Sequence, residues 1–183
     1  MGRYAGERVL SHVKEKQVPA PKGAGEAMLA LFTGYLEAQG KENVGQIRQE
    51  MRELMTRKVG VFRNEKGMQE VIGSLIAFKQ RAAKAAISTK GLRMNQELLE
   101  RWELDNLLDN AMTITQGALM RKESRGAHFR EDYPERSDEF QYHTLVSMTE
   151  FGKVSFGKRP IDMSIYESKG EHYEQFRIMP RKY

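Results

Sequence analysis

The chain has 183 residues, 39% hydrophobic and 30% charged, which is enough apolar material for one sizeable core or two small lobes and too much for wholesale disorder. Its net charge of +5 is mild, but twelve basic and five acidic residues lie between Lys41 and Arg93, a surplus that suits an acidic partner or nucleic acid when it is not simply a solvated helix face. The chain has no cysteine, which excludes a disulfide scaffold, a thiolate metal site and a cysteine nucleophile.

Gly2 to about Glu15 reads as a helix, with Tyr4, Val9 and Val13 near helical spacing. It has no Ser, Thr, Asp or Asn to start it, so the reading expects a helix cut within its length. Pro19, Pro21, Gly23 and Gly25 mark a connection, followed by the apolar patch Met28–Phe32 as one short helix. Three stronger helices follow. Asn43 with Gln46 resembles a capping box for a stripe of Ile47, Met51, Leu54, Met55 and Val59, closed by Gly60. Val61-Phe62-Arg63-Asn64 connects it to a second stripe, Met68, Val71, Ile72, Leu75, Phe78 and Ala82, with Gly91 as its stop. Asn95 caps a third, carrying Leu98, Leu99, Trp102, Leu107, Leu108, Ala111, Thr115, Ala118 and Leu119. Short connections between three amphipathic helices imply a bundle.

Arg121 to Glu139 is a polar loop. Beyond it, period-2 alternation over Tyr142–Met148 and Ile161–Tyr166 predicts strands, with turns at Phe151-Gly152-Lys153 and Gly157-Lys158-Arg159-Pro160 and a short final strand near Phe176–Met179. The predicted fold is mainly α: a three-helix bundle followed by a small antiparallel β appendage. Its segments are a cut helix and connection at 1–42, the bundle at 43–122, and the polar loop with the appendage at 123–183.

No apolar run approaches the roughly 20 residues of a membrane span, and MGRYAGERVL lacks the apolar core of a signal peptide, so a soluble location inside the cell is expected. His12, His128, His143 and His172 stand at no metal-ligand spacing, and the chain has no nucleophile elbow or phosphate-cradling glycine loop. The basic helical positions are not interleaved with aromatics as a nucleic-acid reader requires, so no nucleic-acid partner is expected. One stretch stands apart. Glu123, Ser124, Arg125, Gly126, His128, Arg130, Glu131 and Asp132 pack arginines, carboxylates and a histidine around a glycine, just before Tyr133-Pro134. Arginine forks paired with carboxylates pin backbone through bidentate bonds. The stretch therefore reads either as a structural network or as an interface or anion-binding element.

That stretch, ESRGAHFREDYPERSDEFQYHTL, resembles the C-terminal signature of the flavoprotein subunits of succinate dehydrogenase and fumarate reductase. GRYAG at the start is similar to the family's GRxAG, MRELMTRKVGVFRNE to its M-x(4)-GVFR segment, and LDNLLDNAMTITQGALMRKESRGAH to the long helix before the signature. The closing IMPRKY is a shortened form of its P-x-x-R-x-Y ending. Ser137 departs from the family, which usually has Asp there. L-aspartate oxidase shares an ESRG-x-H-DYP pattern but matches less of the chain.

The resemblance implies that the parent subunit moves a hydride between succinate and FAD and passes electrons to an iron–sulfur subunit. In the family the FAD fold, the flavin-carrying histidine and the dicarboxylate-binding groups lie upstream of GRxAG. No catalytic, cofactor or metal residue is therefore carried onto this chain, and the chain alone is expected to be inactive. It would brace the FAD-binding domain and help dock the iron–sulfur subunit, in a cytoplasmic location peripheral to the inner face of the cell membrane and without inserting into it. Glu123 and Arg125 are expected to be internal, His128 and Arg130 to face the flavin domain. The exposed first helix invites self-association of the fragment. The competing reading is a stand-alone binding module using the basic helical face.

Overall fold

The computed structural model describes residues 2–15, 22–162 and 164, and the chain divides between Gly34 and Tyr35 into two compact units. In the first unit, α1 (Gly2–Glu15) leaves Tyr4, Val9 and Val13 exposed, and α2 (Ala24–Glu37) begins as a mostly apolar helix that extends well beyond the expected patch.

The second unit is built on α3 (Val44–Lys58), α4 (Glu65–Ala83) and α5 (Gln96–Met120), the three expected helices. Each starts on an asparagine. The Oδ1 atoms of Asn43, Asn64 and Asn95 accept the backbone N–H of Gln46, Gly67 and Leu98, all at 2.9 Å, which satisfies one orphan donor per helix. The capping box at Asn43 is half formed, because the Gln46 side-chain amide turns forward to donate to Glu50 rather than back to accept the Asn43 N–H. Between the helices lies a core of Ile47, Met51, Val59, Met68, Val71, Leu75, Leu104, Leu108, Met112 and Ala118. In α5 the face differs from the expected stripe: Leu99 and Leu107 are exposed, while Leu104 and Arg101 are buried. Arg101 reaches Asp105 at 3.0 Å and lies over the Tyr35 ring, and Lys79 bridges Asp105 and Asp109.

α4 does not run to Gly91. It ends at Ala83, where the Lys84 N–H turns back to Arg81 and Ala82 carbonyls. The following loop has bonding of its own: the Asn95 amide donates to Thr89 and Gly91 carbonyls, and Glu97 accepts Ser88 Oγ and Thr89 N–H. Gly40 seats this loop, since a Cβ there would stand 2.0 Å from the Lys84 carbonyl oxygen.

The β appendage is one antiparallel hairpin, β3 (Tyr142–Glu150) with β4 (Lys153–Pro160), registered from Tyr142↔Pro160 to Glu150↔Lys153. The turn at Phe151-Gly152 stands where the sequence put it, with Gly152 at φ +83. Gly157-Lys158-Arg159-Pro160 is not a turn. It is the outer half of β4, where Gly157 lies opposite Leu145 and continuous pairing outweighs the local turn signal. Ile161 and Asp162 follow the strand rather than forming one, and most of the stretch to Tyr166, with the expected strand near Phe176–Met179, falls outside the described residues. The hairpin packs on α5 at Gly117, with Met148 and Phe151 against the helical core.

One further element carries no local signal. β1 (Phe62–Arg63) and β2 (Phe129–Arg130) pair in parallel, Phe62↔Phe129 and Arg63↔Arg130, and tie the α3–α4 connection to the loop after α5.

Candidate functional site: the charged loop after the long helix

A helix of 25 residues ends at Met120, and its last carbonyls need partners. Arg130 supplies them. Fully buried, its Nη1 donates to the carbonyls of Ala118, Leu119 and Arg121 at 3.0–3.2 Å. Its other edge forms a bidentate pair with Asp132, Nε–Oδ1 2.7 Å and Nη2–Oδ2 2.8 Å. Asp132 Oδ2 in turn accepts the N–H of Glu65, the first residue of α4, at 2.9 Å. A guanidinium on the negative end of α5 is thus joined to a carboxylate on the positive end of α4, which suits both helix dipoles. The Arg130 hydrogen bonds hold the Asp132 carboxyl down at about 2, with the Glu65 N–H adding to the effect against some burial.

Glu123 is the second node. Its side chain is fully buried, and both oxygens are occupied: Arg125 Nε at 2.8 Å and Arg121 Nη1 at 3.2 Å on one, Arg125 Nη2 at 3.0 Å and the Ser137 N–H at 2.9 Å on the other. Burial pushes its pKa up, but the Arg125 and Ser137 bonds outweigh it, so the carboxyl titrates below its usual range. Ser137 contributes through its backbone N–H, which any residue but proline supplies at that position. Arg121 also donates to the carbonyls of Phe140 and Tyr142, carrying the network to the start of β3.

Between the nodes the chain makes a tight turn. Arg125 and His128 exchange backbone hydrogen bonds at 2.8 and 3.1 Å around exposed Gly126-Ala127, and Gly126 takes φ +60, which favours glycine. Ser124 Oγ accepts the Arg130 N–H and donates to the Tyr133 carbonyl, both at 2.8 Å. His128 is half-buried. Arg63 Nη1 donates to its Nδ1 at 2.9 Å, so its Nε2 carries the proton towards the Arg121 carbonyl at 3.3 Å. Burial, with Arg63, Arg130 and Arg121 nearby, lowers its pKa and keeps the ring neutral.

The structure thus brings together all eight residues singled out in the loop, but not all in the expected positions. Glu123 is fully buried, and Arg125 is partly buried against it. Arg130 does not face outward: it is the most completely engaged side chain of the loop, because a helix end beside it supplies carbonyls that a linear reading does not place there. Glu131 stays exposed and accepts the Asn64 amide at 2.7 Å. Arg63 and Asn64 belong to the site and were missed, and Arg121 joins it through Glu123. Arg63 stood inside the GVFR segment, but nothing local links positions 65 residues apart. Four of the twelve basic residues of the helical stretch are ion-paired: Arg48 with Glu103, Lys58 with Glu70, Lys79 with Asp105 and Asp109, and Arg81 with Glu42 and Glu50. Among the described residues no group of His, Asp and Glu is arranged to hold a metal ion, and no helix is long and apolar enough to cross a membrane.

Residues 48–183 match the family described as the fumarate reductase flavoprotein C-terminal region. The chain is 39% identical over 142 residues to the fumarate reductase flavoprotein subunit of Helicobacter pylori, covering 75% of this chain and 20% of that one. It is 38% identical over 140 residues to the succinate dehydrogenase flavoprotein subunit of Rickettsia conorii, covering 76% and 24%. The chain therefore spans about a fifth to a quarter of the length of these relatives. A solved quinol fumarate reductase chain of E. coli superposes with a TM-score of 0.71 at 30% identity, over 79% of this chain and 26% of that one.

Proposed function

The chain belongs to the fumarate reductase flavoprotein C-terminal family, and from that premise we propose that it braces the FAD-bearing part of a subunit interconverting succinate and fumarate. In this reading residues 43–122 are the brace, 123–183 the signature loop with its β appendage, and 1–42 the segment leading in. The observation that carries it is the double-ended clamp of Arg130 and Asp132, which locks α4, α5, β1 and β2 into one rigid surface with the Gly126-Ala127 turn exposed at its apex. Rigid elements position a docked domain more precisely than free loops do.

FAD is assigned to the rest of such a subunit. Arg121, Arg125 and Arg130 are already matched by Glu123 and Asp132, so none of the three is left to receive a dinucleotide pyrophosphate. When bound there, the flavin supplies hydride transfer; the residues of this chain hold the supporting surface still. An iron–sulfur subunit as partner and a place at the inner face of the cell membrane belong to the same proposal.

The test is reconstitution. The Helicobacter pylori subunit is produced without its matching C-terminal region and assayed for fumarate-dependent oxidation of a reduced dye. Adding this chain is expected to restore turnover, while the chain alone gives none. Turnover by the chain alone, or no restoration by a folded chain, overturns the reading.

A further inference from the structure

We propose that Arg63 and His128 form a seat for one carboxylate group from outside this chain, carried on an apolar protein segment. The first observation is a charge without a partner. Arg63 is half-buried, its Nε donates to the Gly60 carbonyl at 2.6 Å and its Nη1 to His128 at 2.9 Å. Among the described residues it makes no ion pair, whereas Arg121, Arg125 and Arg130 beside it all do. Burial alone acts on its pKa, downwards, with no acid offsetting it.

The neighbouring acids are committed elsewhere. Each oxygen of Glu123 accepts two hydrogen bonds, from Arg125, Arg121 and Ser137, and both oxygens of Asp132 are engaged by Arg130, one of them also by Glu65. Glu131 accepts from Asn64. His128 cannot supply the charge, being neutral and held at both ring nitrogens. It does orient the guanidinium, fixing Nη1 so that the outer N–H groups keep one direction. One surplus cation with a planar fork suits a carboxylate, which accepts two parallel N–H bonds and carries a single charge; a phosphate dianion would bring more charge than the site offsets.

The second observation concerns the surroundings. Val61, two residues before Arg63, accepts the Phe129 N–H at its carbonyl at 3.2 Å and is 49% exposed. The exposed Gly126-Ala127 turn immediately precedes His128, which holds Arg63. An approaching chain therefore meets apolar surface beside the cation, which favours a Glu or Asp between apolar residues over a free small anion. This source deepens the proposed docking role and rests on it; the seat itself does not.

The test uses the full chain alone and the ring signals of His128 in NMR spectra. Sodium acetate, exchanged against chloride at constant ionic strength, is expected to shift them saturably with a dissociation constant on the order of 10 mM. Arg63→Gln, with its helix content verified by circular dichroism, abolishes the saturation; Arg63→Lys, which keeps the charge without the fork, weakens it and serves if the first variant misfolds. A response in wild type that does not saturate, or saturation that persists in the verified Arg63→Gln chain, overturns the seat. The peptide acetyl-Leu-Glu-Leu-amide is expected to bind severalfold tighter than acetate, and Val61→Ser to remove that advantage while leaving acetate binding intact. Succinate binding tighter than the peptide overturns the protein-borne source. Because only this chain is present, failed reconstitution with the truncated relative leaves these outcomes readable.

Discussion

Arg63 and Arg130 stand opposite each other across two strands of two residues each, yet their surroundings could hardly differ more. Arg130 is fully buried and spends its guanidinium on Asp132 and the end of α5. Arg63 is half-buried, bound to a neutral imidazole and a carbonyl, without an acid among the described residues. A buried cation survives only if its surroundings replace what water supplied. At Arg130 a helix end and a carboxylate do so within the chain, which makes that end of the loop a structural joint. At Arg63 the replacement is incomplete, which makes the other end a surface prepared for something else.

The sharpest way to break this contrast is Arg130→Ala. It leaves the Asp132 charge without its partner and the α5 carbonyls uncapped, with an expected loss of about 3–5 kcal/mol, the scale for breaking a buried pair. Denaturant melts that show a loss below about 1 kcal/mol would move Arg130 to the surface class. Arg125→Ala comes next. Its guanidinium is 22% exposed but faces a fully buried Glu123, and Arg121 still touches one oxygen, so about 2–4 kcal/mol is expected. Recovery of that loss in Arg125→Ala/Glu123→Gln, where the buried charge is also gone, would confirm the cause.

A third prediction concerns acid. Asp132 titrates at about 2 in the folded chain against 3.8 in the reference state. Because the folded value is the lower one, its contribution is complete above about pH 4 and lost as pH falls towards 2. The carboxylate is 29% exposed, so after solvent screening about 1–2 kcal/mol is expected. Stability measured from pH 5 to pH 2 should fall less steeply in Asp132→Asn than in the parent chain. The smallest effect is expected at Arg63. Arg63→Gln should change stability by under about 1 kcal/mol, as for an exposed pair, because no acid loses its partner. A loss as large as that of Arg130→Ala would erase the distinction between the two ends.

Several features were legible in the sequence because they depend on near neighbours. Asn43 and Asn95 cap their helices through a side chain reaching three residues ahead, Gly152 makes a turn between adjacent strands, and the stripes of α3 and α4 follow from 3.6 residues per turn. The charged residues from Glu123 to Asp132 declared themselves by density, and the family by their order. Other features depend on what lies across the fold. α4 stops at Ala83, where Ala85 pairs with Glu42 across the fold and Ser88 to Gly91 are held by Asn95 and Glu97. Gly157 to Pro160 extends because β3 lies beside it, whatever turn propensity those residues hold. The roles of Arg63 and Arg130 were beyond the sequence for the same reason. Both are arginines next to a phenylalanine in a two-residue strand, and only the tertiary arrangement places a helix end and Asp132 around one while leaving the other without an acid among the described residues. Local pattern sets which groups can bond; the partner each one finds depends on how the chain brings distant groups together, and that partner decides whether a charge is buried or left for another molecule.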